Sequence, residues 1–229
     1  MNGATNSPSR SEGSAPNAVA WVRTWGASPQ APDNSGSFIE PFENSTLRQV
    51  VRVSGGGHRI RIRISNEYGT APLTIGAARV AIADSESEIQ AGSGHAVTFS
   101  GRPTATVPAG APILSDPIDL RTAALSRLTI SLYLPGPVDT ATCHGTFHTL
   151  GWLIRDDATA LTSLPTNAAP LPAQALITAV EVQPDTPTKA SRDRGLPRRW
   201  HRLHARHGSA LDRLARRSAW TPAADRRAA

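Results

Sequence analysis

The stretch Arg59-Ile60-Arg61-Ile62-Arg63-Ile64 alternates strictly between a charged and a β-branched apolar residue. Successive side chains of a strand point to opposite faces, so three isoleucines share one face and three arginines the other. The stretch therefore predicts a half-buried strand. The preceding Ser54-Gly55-Gly56-Gly57 predicts a turn, because glycine accepts positive φ without steric cost.

Similar short apolar segments recur along the chain, separated by clusters of Gly and Pro. The other strand candidates are Leu47–Val53, Leu73–Ala83, Ala96–Phe99, Ala105–Val107, Leu128–Leu134, Phe147–Ile154 and Leu176–Val182. None of them has the 3.6-residue period of an amphipathic helix. Many short strands with regular turns predict an all-β fold, an antiparallel β-sandwich of jelly-roll-like form.

Charge divides the chain near residue 188. Residues 1–188 hold 12 Arg, no Lys and 15 acidic residues, whereas residues 189–229 hold 12 basic and 3 acidic residues. The net charge of +6 is therefore the sum of −3 and +9. These differences predict three parts: a disordered leader over 1–18, a β-sandwich domain over 19–188, and a basic tail over 189–229, partly helical or disordered.

Composition also bears on the compartment. No apolar run approaches the roughly 20 residues that a membrane span needs. Residues 1–17 lack the apolar core of a signal peptide, so the cytoplasm is the default expectation. A start further upstream that carries a signal is the alternative. The single Cys143 excludes an intramolecular disulfide without fixing the compartment.

Candidate chemistry in the body is sparse. A serine hydrolase needs a serine, a histidine that takes its proton, and oxyanion donors. The histidines are His58, His95, His144 and His148, and no serine stands in a Gly-x-Ser-x-Gly or Gly-Asp-Ser context. His58 follows three glycines, which is typical of a surface turn.

Two further pairs of residues suggest chemistry only weakly. His144 and His148 would share a helix face as a metal pair, but their segment reads as loop and strand, and only Cys143 could add a ligand. Asp156-Asp157 is typical of a turn. We therefore predict no catalytic, cofactor-binding or metal-ligating residue.

The arginine face of Arg59, Arg61 and Arg63 has two interpretations. It could bind an anionic ligand such as an acidic glycan or a nucleic acid. The commoner arrangement is a solvated face whose arginines pair with carboxylates on neighbouring strands.

Several blocks of the body resemble a known family when they are taken in order. They are Trp21-Val22-Arg23-Thr24-Trp25-Gly26-Ala27-Ser28-Pro29-Gln30, Thr46-Leu47-Arg48-Gln49-Val50-Val51-Arg52-Val53-Ser54, Ile64-Ser65-Asn66-Glu67-Tyr68-Gly69, Pro72-Leu73-Thr74-Ile75-Gly76, Thr98-Phe99-Ser100-Gly101, Val107-Pro108-Ala109-Gly110-Ala111, Ser115-Asp116-Pro117-Ile118-Asp119-Leu120 and Ile130-Ser131-Leu132-Tyr133-Leu134-Pro135. Together they resemble the N-terminal region of two-part SGNH (GDSL-type) esterases, over about Val19 to Val182.

The resemblance implies a β-sandwich that packs beside an α/β/α hydrolase domain, in a family that is often secreted. In the family, the catalytic serine lies in a Gly-Asp-Ser block of that second domain, with Gly, Asn and Asp-x-x-His blocks after it. No such block follows Val182, so no catalytic residue carries over to this chain. We expect an inactive portion of a carboxylic ester hydrolase. It could self-associate through apolar surface that its partner domain would cover.

Three interpretations of the tail are compatible with its composition. A basic tail could bind nucleic acid, with Trp200 stacking on a base. It could form an amphipathic helix, because Leu203, Leu211 and Leu214 fall near one face. It could also be an out-of-frame translation of a GC-rich gene, since shifted frames of such DNA encode mainly Arg, Ala, Pro and His.

Back-translation of the tail favours the third interpretation. Shifted by one base, Arg198-Arg199-Trp200-His201 permits Gly-Asp-Gly followed by Ile or Thr. Leu214-Ala215-Arg216 permits Trp-Pro-Asp, a tripeptide similar to one that follows the nucleophile block in the family. One mismatch is fixed, because the Trp200 codon forces Gly where the family has its serine.

Overall fold

The computed structural model describes residues 20–32, 39–145 and 150–185. Within these ranges every regular element is a strand, which confirms the all-β prediction. The predicted leader and basic tail lie outside the described residues, as do Phe147 and His148. No described segment forms a helix long and apolar enough to cross a membrane.

Fourteen strands occur in the described ranges. The first seven are β1 (Val22–Gly26), β2 (Ser45–Arg52), β3 (Arg59–Asn66), β4 (Leu73–Ile75), β5 (Ala77–Ile82), β6 (His95–Ala96) and β7 (Ala105–Val107). The others are β8 (Ala111–Leu114), β9 (Arg127–Leu134), β10 (Cys143–His144), β11 (Leu150–Arg155), β12 (Ala169–Pro170), β13 (Gln174–Ala175) and β14 (Ile177–Gln183).

Two larger antiparallel sheets organise these strands into a sandwich-like fold. One has six strands in the order β12-β11-β2-β9-β5-β6, and the other has four in the order β1-β14-β3-β8. Two small ribbons, β10-β13 and β4-β7, complete the described pairings.

The core lies between the inner faces of the two larger sheets. Ile60, Ile62 and Ile64 of β3 are fully buried, as their alternation predicts. They belong to one apolar cluster with Leu47 of β2 and Ile130 of β9, among others. Burying an aliphatic side chain of this size stabilises a fold by about 1.5–3 kcal/mol, so the isoleucine row fixes which face of β3 turns inward.

Strand β2 is buried on both faces. Thr46 and Arg48 point away from the core, where the segment after β11 covers them. The Thr46 hydroxyl donates to the Asp156 carbonyl oxygen at 2.7 Å and accepts from the Ala158 amide at 2.8 Å. The covering segment therefore keeps Arg48, on the same outer face, 2 % exposed.

The continuous strand predicted over Leu73–Ala83 is wrong. Two strands, β4 and β5, replace it, and they pair with β7 and β9 respectively. Gly76 separates them where the chain passes closely over Tyr133, since a Cβ at Gly76 would lie 2.9 Å from Cδ1 of that ring. The apolar run carries no turn residue apart from this glycine.

Two smaller expectations also need correction. The glycines at 55–57 do not have positive φ, so they are required for space rather than for conformation. A Cβ on Gly56 would lie 2.8 Å from the Ala124 nitrogen. Strand β8 was not predicted because it contains Pro112, which is compatible with its position at the edge of the four-stranded sheet.

Large apolar side chains that remain exposed are scattered over the described surface. Tyr68, Leu114, Leu125 and Leu161 lie on separate turns and strands. Self-association through apolar surface stays a prediction.

Candidate functional site

The three arginines of β3 lie on the outer face of the four-stranded sheet, and each faces a carboxylate. The shortest N–O distances are 2.7 Å for Arg59–Asp119, 2.6 Å for Arg61–Glu181 and 3.1 Å for Arg63–Glu67. The arginines and isoleucines therefore lie on opposite faces of β3, as predicted. The arginine face is an ion-paired surface.

Arg61 and Glu181 form the centre of this face. Their strands pair antiparallel with the two residues in register. The Arg61 Nε donates to Glu181 Oε2 at 2.6 Å, and the guanidinium lies 4.5 Å from the ring centroid of Trp21. Arg23 of β1 approaches the same carboxylate from the other side, with its Nη2 3.8 Å from Oε1. One carboxylate thus serves two guanidinium groups.

The Arg63 side chain forms hydrogen bonds with two residues. It donates to the Thr178 hydroxyl at 2.7 Å and to Glu67 Oε2 at 3.1 Å. The Ser65 hydroxyl also donates to Glu67 at 2.6 Å. This hydrogen bond, together with the Arg63 charge, lowers the pKa of Glu67 below its ordinary value of 4.5. Glu67 is therefore ionised at neutral pH, and it offsets the charge of Arg63.

An open cleft lies between Arg23 and Arg63. Its volume is about 560 Å³, and the rest of its lining is Gly26, Ala27, Ser28, Pro29 and Thr178. The Arg23 side chain is 62 % exposed, so its guanidinium can turn toward a ligand. Two guanidinium groups and a hydroxyl are suited to a carboxylate or sulfate group.

Sequence reasoning missed Arg23 as a member of this face. Arg23 lies opposite Glu181, and Glu181 lies opposite Arg61, so the three share one row across β1, β14 and β3. These strands are distant in sequence. Only the pairing register, which the sequence does not display, brings them together.

The described histidines contact a carboxylate or backbone carbonyl oxygens. His58 Nδ1 lies 3.2 Å from Asp185 Oδ1 at the surface. His95 Nδ1 contacts the Ser93 carbonyl oxygen at 2.9 Å, and His144 Nδ1 contacts the Ser28 carbonyl oxygen at 2.8 Å.

Of the three residues that could form a metal site in the sequence, the structure describes Cys143 and His144. Cys143 is buried and its thiol donates to the Ala141 carbonyl oxygen at 3.2 Å. His148 lies outside the described residues. Among the residues that the structure describes, no group of three His, Cys, Asp or Glu could hold a metal ion.

Asp156 and Asp157 organise the turn after β11. Asp156 has a φ of 62° and its Oδ1 accepts from the Asn44 amide at 2.7 Å. Asp157 Oδ1 accepts from the backbone nitrogen of Thr159 at 3.0 Å and from its hydroxyl at 2.6 Å. Both carboxylates therefore serve loop geometry, as the sequence predicts.

Asp116 joins two of the sequence blocks that carry the family resemblance. Its carboxylate accepts hydrogen bonds from the Gly101 amide at 2.7 Å, the Thr98 hydroxyl at 2.7 Å and the Ser100 amide at 3.0 Å. These bonds, the one from Gly101 foremost, lower the pKa of Asp116 below its ordinary value of 3.8. Asp116 thus fixes a tight turn in which Ser100 and Gly101 both have positive φ.

No protein-family model matches this chain, and no curated protein matches it.

Proposed function

We propose that the body of this chain is the non-catalytic β-sandwich portion of an SGNH-type serine ester hydrolase, with little or no esterase activity by itself. The order of the sequence blocks between Val19 and Val182 carries the proposal. The all-β, sandwich-like fold agrees with the architecture that the resemblance implies.

The contacts of the block residues support a structural role for them. Asp116 receives three hydrogen bonds within a turn, and the Asn66 amide donates to the carbonyl oxygens of Ala71, Val107 and Pro108 at 2.9, 3.1 and 3.2 Å. The hydrogen bonds of these two side chains hold loops in place. That arrangement suits a scaffold better than a reaction centre.

The chemistry of ester hydrolysis gives a second line of support. An acyl-enzyme mechanism needs a serine whose proton passes to a nearby base. Several described serine hydroxyls donate instead to backbone carbonyls or to carboxylates, as Ser54 does to Thr24 and Ser65 does to Glu67. Neither serine is placed for nucleophilic attack.

Covalent labelling with a fluorophosphonate probe tests the missing nucleophile. We expect no labelled serine in the purified full-length protein, because its sequence has no Gly-Asp-Ser nucleophile block. An authentic serine esterase labelled in parallel shows that the probe is active. A single stoichiometrically labelled serine, identified by peptide mass, contradicts the proposal.

The nucleotide sequence after codon 188 tests the family relationship independently of activity. We expect the frame shifted by one base to continue into Gly, Asn and Asp-x-x-His blocks. A shifted frame without these blocks contradicts the out-of-frame interpretation of the tail.

The cleft between Arg23 and Arg63 favours a second candidate function, the binding of an anionic glycan. Retention on immobilised heparin, measured as the eluting salt concentration, tests this candidate. We expect Arg23→Gln and Arg63→Gln to elute earlier and Arg155→Gln, on an exposed strand end elsewhere, to elute unchanged. Retention lost on deletion of residues 189–229 points instead to the tail, where nucleic acid is the alternative ligand.

A further inference from the structure

Arg48 is a buried guanidinium without a carboxylate partner. The residue is 2 % exposed, and no described carboxylate forms an ion pair with it. Burial lowers the pKa of the Arg48 guanidinium below its ordinary value. A buried cation without a compensating charge is costly.

Three hydrogen bonds satisfy part of the Arg48 side chain. Nε donates to the Ser131 hydroxyl at 3.0 Å, and Nη2 donates to the carbonyl oxygens of Ala158 at 3.0 Å and Leu161 at 2.7 Å. Nη1 is buried and has no hydrogen-bond partner among the described residues. A guanidinium carries five N–H donors, so the two on Nη1 are unused.

A second arginine lies in the same cross-strand row. Arg48 of β2 is in register with Ser131 of β9, and Ser131 is in register with Arg79 of β5. Two strand spacings place the backbones of the two arginines about 9–10 Å apart on one face of the sheet. The only described hydrogen bond of the half-buried Arg79 side chain runs from Nη2 to the Gly94 carbonyl oxygen at 3.4 Å.

A small cavity lies between these groups. Its lining includes Arg48, Arg79, Thr129, Ser131 and Thr159, and its volume is about 10 Å³. That is room for one small particle and not for a phosphate or sulfate. The lining supplies two guanidinium groups and the hydroxyls of Thr129 and Ser131 as hydrogen-bond donors, whereas the Thr159 hydroxyl donates to Asp157.

We infer that this cavity is a binding site for one monatomic anion, chloride in solution, held by Arg48 and Arg79 beneath the segment that follows β11. An anion provides both the missing acceptor for Arg48 Nη1 and a charge that offsets the two guanidinium groups. A water molecule would provide only the acceptor. The site is independent of the arginine face, which lies on the other sheet.

Bromide is the probe for the position of the ion. Crystals of the full-length protein grown in sodium bromide are expected to show an anomalous peak within hydrogen-bonding distance of Arg48 Nη1. A cavity with an ordered water and no anomalous signal at high bromide concentration overturns the inference.

Thermal unfolding tests the same site in solution. At constant ionic strength, replacing sodium gluconate with sodium chloride is expected to raise the melting temperature by about 3–5 °C once chloride reaches about ten times its dissociation constant. Gluconate is too large for the cavity. Equal melting temperatures in the two salts overturn the inference.

Variants connect the salt effect to the site. Arg48→Met is expected to abolish the chloride-dependent shift. Should that variant fail to fold, Arg79→Gln, at a half-buried position, is expected to reduce the shift at least by half. Arg155→Gln is the matched control and keeps the full shift. A full chloride-dependent shift in Arg79→Gln, or in Arg48→Met, contradicts the proposed site.

Discussion

Arg61 and Glu181 lie opposite each other on antiparallel strands, and the Nε and Nη2 of Arg61 are both 2.6 Å from Glu181 Oε2. The carboxylate is 16 % exposed and also faces Arg23. This one carboxylate therefore offsets the positive charges of both Arg23 and Arg61.

Glu181→Gln should strengthen the retention of the protein on heparin, because it leaves the charges of Arg23 and Arg61 uncompensated. It should also lower the free energy of unfolding by about 1–3 kcal/mol, because the mostly buried carboxylate loses a charge-assisted hydrogen bond from Arg61. The eluting salt concentration and urea unfolding measure the two effects. Glu86→Gln, an exposed site with the same change in charge, is the control. Identical retention of the two variants contradicts the proposed role of Glu181.

Asp116→Asn should lower the melting temperature at pH 7, because the ionised carboxylate accepts three hydrogen bonds in the turn of Ser100 and Gly101. The pKa of Asp116 is lower in the folded protein than its ordinary 3.8. Its stabilising contribution is therefore complete above pH 3.8 and is lost as the pH falls through the folded pKa.

The difference in melting temperature between wild type and Asp116→Asn should consequently close below that pH. Asp84→Asn, at an exposed position, should show no comparable difference. A difference between wild type and Asp116→Asn that stays constant from pH 7 to pH 2.5 contradicts the assigned hydrogen bonds.

Gly57→Ala should destabilise the fold by about 1–3 kcal/mol, because a Cβ there would overlap the carbonyl oxygen of Gln183 and lie 2.8 Å from its carbonyl carbon. Gly136→Ala is the matched control, with nothing within 4 Å of its Cβ. Urea unfolding distinguishes them. Equal stability of the two variants would contradict the close approach of Gly57 to the Gln183 carbonyl group at the end of β14.

Gln49→Met should lower the free energy of unfolding by roughly 2–4 kcal/mol, since two buried backbone groups lose their partners. The Gln49 amide donates to the Ala175 carbonyl oxygen at 2.7 Å and accepts from the Ala175 nitrogen at 2.9 Å. The exchange rate of the Ala175 amide proton should rise selectively. Gln90→Met, at an exposed position, is the control. Unchanged protection at Ala175 contradicts the bridge.

The alternation at Arg59–Ile64 predicted its strand correctly because burial on one face imposes a period of two. The same reasoning failed for Leu73–Ala83. Both β4 and β5 are apolar, and the change of partner at Gly76 depends on Tyr133, which is distant in sequence. Local pattern therefore identified extended segments but not the sheet that each one joins.

Arg48 shows why local sequence does not identify a buried site residue. In the sequence Arg48 stands between Leu47 and Gln49 and resembles an outward-facing polar residue of a strand. Its burial comes from the segment after β11, which returns over β2 and supplies the carbonyl oxygens of Ala158 and Leu161. The cavity beside it exists only because that segment closes over the sheet.

The hydrolysis of a short-chain nitrophenyl ester by the purified full-length protein tests the central claim most directly. We predict a rate equal to the buffer blank, and equal for wild type and for protein treated with a serine-directed inhibitor, because the sequence has no Gly-Asp-Ser nucleophile block. Turnover above the blank that rises linearly with protein concentration and is abolished by the inhibitor would contradict the claim.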